Sequence, residues 1–234
     1  MESLELALLF VLLLLPVVDV LLERFKSKSK SVEYIKISVV LWSITIFLIY
    51  SFYEGALSVN NPNFLPKSIW KIYASLLLFT TLILYLIYVV ATIYNSEKVR
   101  QQVMGQFQSA GDSVLGLLPE TRKEFLLFTL LLSVTAGICE ELIFRWYLYS
   151  FLEGQVHWLI AVFMSSLLFG LWHLYLGWGY VVKTSVMGAI LCGVYLYFES
   201  ILIAIIAHIL MDVYSGAIAY YARNGSIYVP NNRS

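Results

Sequence analysis

Seven apolar runs, each close to the ~20 residues a membrane-crossing helix needs, are separated by short polar stretches and limit this chain to very few folds. A helix rises ~1.5 Å per residue, so such a run matches the ~30 Å hydrocarbon core of a bilayer. Lipid offers no hydrogen bonds, and a crossing segment must satisfy its own backbone as a helix or within a closed barrel. The runs are continuous rather than alternating, which excludes barrel strands. The expected fold is therefore all-α: a polytopic transmembrane helix bundle of about seven spans, near residues 4–22, 35–53, 70–94, 125–150, 156–175, 180–198 and 200–221. Composition agrees, because only 13% of the 234 residues are charged, against about a quarter in a soluble domain.

The stretches between the runs suggest four regions. Residues 1–95 form an N-terminal three-helix membrane region, and 96–123 a polar linker with an amphipathic helix lying at the interface. Residues 124–221 form a four-helix core, followed by a short tail, 222–234. Pro16 and Asp19 fall inside the first span and predict a kink or a face turned to a neighbouring helix. The start, Met1-Glu2-Ser-Leu-Glu5, lacks the positive charge of a signal peptide, so the first span is expected to be retained. Cys139 and Cys192 both lie in apolar runs and give no disulfide framework.

Net charge is zero, which argues against nucleic acid as a partner. The basic residues are nevertheless strongly biased in position. Arg24, Lys26, Lys28, Lys30, Lys36, Lys98, Arg100, Arg122, Lys123, Arg223 and Arg233 share one side if seven helices alternate. Lys67 and Lys71 fall on the other side. By the positive-inside rule the N-terminus is outside and the C-terminus cytoplasmic. The membrane is then the plasma membrane in a prokaryote, which the plain architecture favours, or the endoplasmic reticulum in a eukaryote.

Against this apolar background the charges of Glu140-Glu141-Leu-Ile-Phe-Arg145 stand out. A charge at membrane depth costs from about 2.5 to over 10 kcal/mol, so it persists only if paired, wet or functional. Two more spans each carry one histidine, His173 and His208, and Asp212 follows His208 by one helical turn. Counting ~1.5 Å per residue from the outer ends puts Glu140 ~15 Å deep, His208 ~12 Å, Asp212 ~18 Å and His173 ~25 Å. The groups thus occupy one layer near mid-membrane. Residues four apart share a helix face, whereas adjacent ones diverge by about 100°. Glu141 and Arg145 are expected to pair and neutralise each other, leaving Glu140 without a local counter-ion as the better reactive carboxylate. Either His173 or His208 could share its proton. Asp212 could fix the tautomer of His208 or act with it toward a developing oxyanion. Phe169 shares a face with His173 and is expected to shape the site, while Cys139 is expected to be a small packing residue.

Three successive motifs, Glu140-Glu141-x-x-x-Arg145, Phe169-x-x-x-His173 and His208-x-x-x-Asp212, resemble those of the CPBP family. This is the superfamily of CaaX prenyl endopeptidases and bacteriocin-processing (Abi) intramembrane proteases. The resemblance covers about residues 120–221 and leaves the first three helices unmatched. Each motif is short, but the three fall in order within 73 residues, in spans that otherwise avoid charge. The resemblance implies an intramembrane endopeptidase acting on a membrane-associated peptide or protein substrate, possibly prenylated. It implies that Glu140 and His173 activate water, that His208 and Asp212 stabilise the oxyanion, and that Glu141, Arg145 and Phe169 support the site. The family's third motif often ends in Asn, and an ionised Asp212 would repel an oxyanion unless it is protonated or acts by orienting His208.

Two other readings compete. Glu140, His173 and His208 could form a His₂-carboxylate zinc site with an open water position, although no HExxH motif is present and the resemblance permits a metal-free, cofactor-free mechanism. Alternatively, intramembrane Glu, His and Asp serve proton relays, as in a proton-coupled transporter, and a bacteriocin-immunity factor would need no chemistry at all. No inverted repeat or pair of broken helices supports transport.

Overall fold

The computed structural model describes residues 3–22, 27, 29–109 and 111–225. Met1, Glu2, Arg24, Lys26, Lys28, Arg233 and the rest of the tail from 226 onward lie outside the described residues. The chain folds into α1 (Ser3–Leu22), α2 (Lys30–Tyr53), α3 (Ile69–Asn95), α4 (Glu97–Ser109) and α5 (Asp112–Leu117). After these come α6 (Arg122–Glu153), α7 (Trp158–Leu171), α8 (Trp178–Phe198) and α9 (Ile201–Asn224). No strand occurs among the described residues, and the architecture is the all-α helix bundle that the apolar runs require.

Six of these helices, α1, α2, α3, α6, α8 and α9, are long and apolar enough to cross a membrane. The expected span 156–175 differs. Its helix α7 has 14 residues and rises only ~21 Å, short of the ~30 Å core. The chain leaves the helix at Trp172, makes a 3₁₀ turn over Leu174–Leu176 and reverses at Gly177, whose φ of 99° suits a residue without a Cβ. His173 therefore stands on a turn rather than inside a helix, contrary to the helix-based depth count.

Helix α6 is the axis of the bundle. It starts with a capping box, in which Thr121 accepts from the Glu124 N–H and Glu124 accepts from the Thr121 N–H. Two π-helical stretches interrupt it, Phe128–Leu132 and Leu142–Tyr149, the second directly after Glu140 and Glu141. Such stretches recur at functional sites. The helix packs against α2, α9 and, through its second half, α7. Gly137 makes the approach to α9 possible: a Cβ there would lie 2.4 Å from Ile209 Cγ1 and 3.2 Å from the Ile205 carbonyl oxygen. That contact is one helical turn from Glu140 and from His208, and it sets both residues at the same interface.

Polar contacts fasten the two ends of the bundle. At one end Lys30 donates to the carbonyls of Leu115 (3.0 Å) and Leu118 (2.7 Å) and pairs with Glu120, which also pairs with Arg223. Arg100 donates to the Gly225 carbonyl at 3.1 Å, so α4 is held against the end of α9. At the other end the turn-rich loop between α2 and α3 is pinned down. Ser58 donates to buried Glu5 from both its N–H and its hydroxyl, Trp146 donates to the Asn60 carbonyl, and Lys71 pairs with Glu199.

Pro16 does not end α1. It cannot donate to the Leu12 carbonyl one turn back, and the Trp172 indole N–H donates there instead, at 3.0 Å. The span that begins the chain is thereby joined to the turn that carries His173.

Candidate active site

The site forms where α6, α9 and the turn after α7 meet. Glu141 and Arg145 are an ion pair, with Nη1 2.8 Å from Oε1, and both are essentially inaccessible. Arg145 has two further supports. Its Nη2 donates to the Gly188 carbonyl of α8 at 3.2 Å, and its guanidinium lies 4.3 Å from the centre of the Phe169 ring. A desolvated guanidinium over an aromatic face gains cation–π energy that a surface pair would lack. Phe169 also contacts the rings of His173 and His208. It is thus a buried ring that touches the Arg145 guanidinium and both imidazoles.

His208 accounts for the second function of Glu141. Its Nδ1 donates to Glu141 Oε1 at 2.8 Å, which fixes the plane of the ring and turns Nε2 the other way. That Nε2 lies 3.8 Å from Glu140 Oε2 and 3.8 Å from Asp212 Oδ2. The orienting carboxylate for His208 is therefore Glu141, an arrangement that helix faces alone did not reveal. Glu140 is itself buried, and its Oε2 has no hydrogen-bond partner. A desolvated acceptor without a donor is costly unless it is reserved for water or substrate.

His173 is oriented differently. Its Nδ1 bonds the Phe169 carbonyl at 3.0 Å, which leaves Nε2 for the interior of the site. Glu140 and His173 line one cavity of about 100 Å³ together with Trp172, Tyr175 and Leu117. Leu15 and Asp19 of α1, and Glu33, Lys36 and Ile37 of α2, complete its wall. Such a volume holds several waters. Two N-terminal helices without a recognisable motif thus form part of the site, and the clue to them was Pro16, a helix-breaking residue in an apolar run.

The candidate residues are not equally placed. Glu140, Glu141, Arg145, Phe169, His208 and Asp212 form one contiguous cluster, and His173 reaches it through Phe169 and the shared cavity. His208 and Asp212 are not lining residues of the cavity, but His208 Nε2 lies 3.8 Å from Oε2 of Glu140, which does line it. Among the described residues no group of three or more His, Cys, Asp or Glu side chains is arranged to hold a metal ion, and Glu140, His173 and His208 are not such a group. Cys139 is fully buried in the main hydrophobic cluster, as expected of a packing residue. His157 caps α7, accepting from the Leu159 N–H far from this cluster.

Residues 122–214 match the family model for Rce1-like proteins, described as type II CAAX prenyl endopeptidase Rce1-like. The match begins at the first residue of α6, ends within α9 and contains all three motifs. No curated protein and no solved structure matches the chain significantly. With its long apolar helices, this is an integral multi-pass membrane protein, and its segment 122–214 is similar to the Rce1-like type II CAAX prenyl endopeptidases.

Proposed function

We propose that the protein is a glutamate-dependent endopeptidase that hydrolyses a peptide bond near the C-terminus of a membrane-associated, CaaX-like substrate. One observation supports this most directly. Glu140, a buried carboxylate with an oxygen free of hydrogen bonds, shares a cavity with the available nitrogen of His173. A water held between the two is positioned for general-base activation, a contribution that typically amounts to about 10²–10⁴-fold in rate. Glu140 takes the proton as the water oxygen attacks the scissile carbonyl, and the same proton then passes to the departing amine. His208, held by Glu141, directs Nε2 toward the reacting atoms. When that nitrogen carries a proton it donates to the tetrahedral oxyanion, and Asp212 balances the imidazolium so formed. Arg145 and Phe169 keep Glu141 in place.

In this reading no metal takes part, because Glu140 itself serves as the base that activates the water. Activity should therefore withstand strong chelators. The similarity of residues 122–214 to CAAX prenyl endopeptidases favours a prenylated substrate. For topology, Lys30, Arg100 and Arg223 gather at one end of the bundle, and by the positive-inside rule that end, with the C-terminus, faces the cytoplasm.

The test uses purified protein in liposomes with farnesylated and unlipidated peptides ending in a CaaX-like sequence. Cleavage should release the C-terminal residues, and Glu140→Gln should reduce turnover by at least about 10²-fold without loss of folded protein. Cleavage that survives Glu140→Gln, or no cleavage by the unaltered protein, would sink this function.

A further inference from the structure

We infer that Pro16 and Trp172 form a latch by which α1, a helix outside the family-matched segment, positions the His173 turn for catalysis. In an unbroken helix the Leu12 carbonyl would accept from the N–H of residue 16. Proline has no N–H, and its ring crowds that carbonyl and tilts it outward. The freed oxygen accepts the Trp172 indole N–H at 3.0 Å, with both partners buried. A buried donor or acceptor left without its partner is costly, so the bond resists breaking.

The latch acts on the site through its nearest neighbour. Trp172 directly precedes His173, at the point where the chain has left α7. Its indole is held on the other side by the Phe144 ring, with centroids 4.8 Å apart, and Phe144 also meets Phe169. His173 keeps its own bond only to the Phe169 carbonyl within the same turn. Trp172 is thus the turn's anchor to α1, while Leu176 packs on its other side against Val114, Leu118 and Ala219. Leu15, next to Pro16, lines the cavity that holds Glu140 and His173, so α1 is both wall and anchor. Trp172 and Pro16 are positioning residues in this scheme, since neither touches the reacting atoms.

The inference rests on the proposed function for its kinetic consequence, although the latch itself can be tested without turnover. Trp172→Phe keeps the ring against Phe144 and removes the donor. Pro16→Ala restores the local helix bond and withdraws the Leu12 carbonyl. Each should lower kcat on the order of tenfold, as small misplacements of catalytic groups do, with KM within about twofold. Because both remove one interaction, the double variant should be no slower than the slower single. Pro16→Ala should leave thermal stability equal or higher, which a merely structural role of Pro16 in activity does not predict. Leu13→Ala, on the exposed side of α1, serves as the control and should change nothing.

The turnover-free arm places a cysteine on the turn, Tyr175→Cys, and follows its labelling by a water-soluble thiol reagent; both native cysteines are buried. Adding Trp172→Phe or Pro16→Ala should speed labelling several-fold. Unchanged labelling in both overturns the latch, whatever the peptide assays give. Additive losses of kcat in the double variant also overturn it, because the two residues would then act separately. If Glu140→Gln still cleaves, the functional reading fails while the labelling still decides the latch.

Discussion

Helices α3 and α6 are both apolar runs of transmembrane length, yet the most hydrophobic stretch of α3 is 6% buried within the protein and that of α6 is 61% buried. Hydrophobicity does not separate them, because lipid tails satisfy an apolar face as well as protein does. Their other residues do. α3 exposes large apolar side chains such as Leu77, Leu84 and Tyr88, and its polar side chains, among them Ser75, Thr81 and Thr92, donate to its own backbone. α6 carries Glu140, Glu141 and Arg145, whose burial in lipid would be prohibitive, and Gly137, which lets a neighbouring backbone approach. In a bilayer the interior is thus assembled by polar groups that need partners and by small residues, while a helix that makes no such demand faces outward.

That contrast can be broken most severely at Arg145. Arg145→Met leaves Glu141 buried without its ion-pair partner, and loss of one member of a buried pair typically costs about 3–5 kcal/mol. SDS titration in mixed micelles should show a large drop in folded protein. Glu141→Gln should disturb less, because an amide still accepts from His208 and Arg145, but it should slow cleavage by loosening the imidazole. Next comes Gly137→Val, which drives a side chain into Ile209 and the backbone of α9. Overpacking of this kind costs about 1–3 kcal/mol, and here it should also part Glu140 from His208 and lower kcat. A stability loss with unaltered kcat would show that the α6–α9 approach is not what aligns the site.

Smaller effects are expected outside the core. The Lys30 ammonium that hydrogen-bonds Glu120 holds its carboxyl below the usual carboxylate range. A lowered folded-state pKa means that the stabilisation is present above the ordinary glutamate value of about 4.3 and fades as pH falls through the lower folded value. Glu120 is half exposed, so the net contribution stays under about 1 kcal/mol. Glu120→Gln should lower Tm slightly at pH 7, and the difference from the unaltered protein should shrink as the pH falls through the lower folded value. Smallest of all, Leu77→Ala on the lipid face of α3 should fall within about 0.5 kcal/mol of zero. A substantial loss there would mean that α3 is covered by a partner rather than by lipid.

That these polar residues gather in one layer was legible from their spacing, as was the Glu141–Arg145 pair, because residues four apart on one helix meet whatever else happens. The partner of His208 was not legible. Asp212 is its neighbour along α9, yet Glu141 takes Nδ1, 67 positions away in sequence, because Gly137 brings α6 close at that level. The place of His173 was misjudged for a related reason: an apolar run of 20 residues reads as one helix, and nothing local announces that 14 residues suffice before the chain turns. Pro16 was visible as an anomaly, but the acceptor it frees is satisfied by Trp172, 160 residues further on.

What the sequence determined by itself was the set of helices and the identity of the polar residues they carry. Backbone hydrogen bonds in lipid must close within each helix, so whether a segment spans is a local question with a local answer. Only the tertiary structure decided which nitrogen of His208 faces Glu140, that His173 stands on a turn, and that α1 and α2 wall the cavity. Those outcomes depend on directional contacts between helices far apart in the chain, and in a medium that does not press apolar faces together, small residues and unsatisfied polar groups select them.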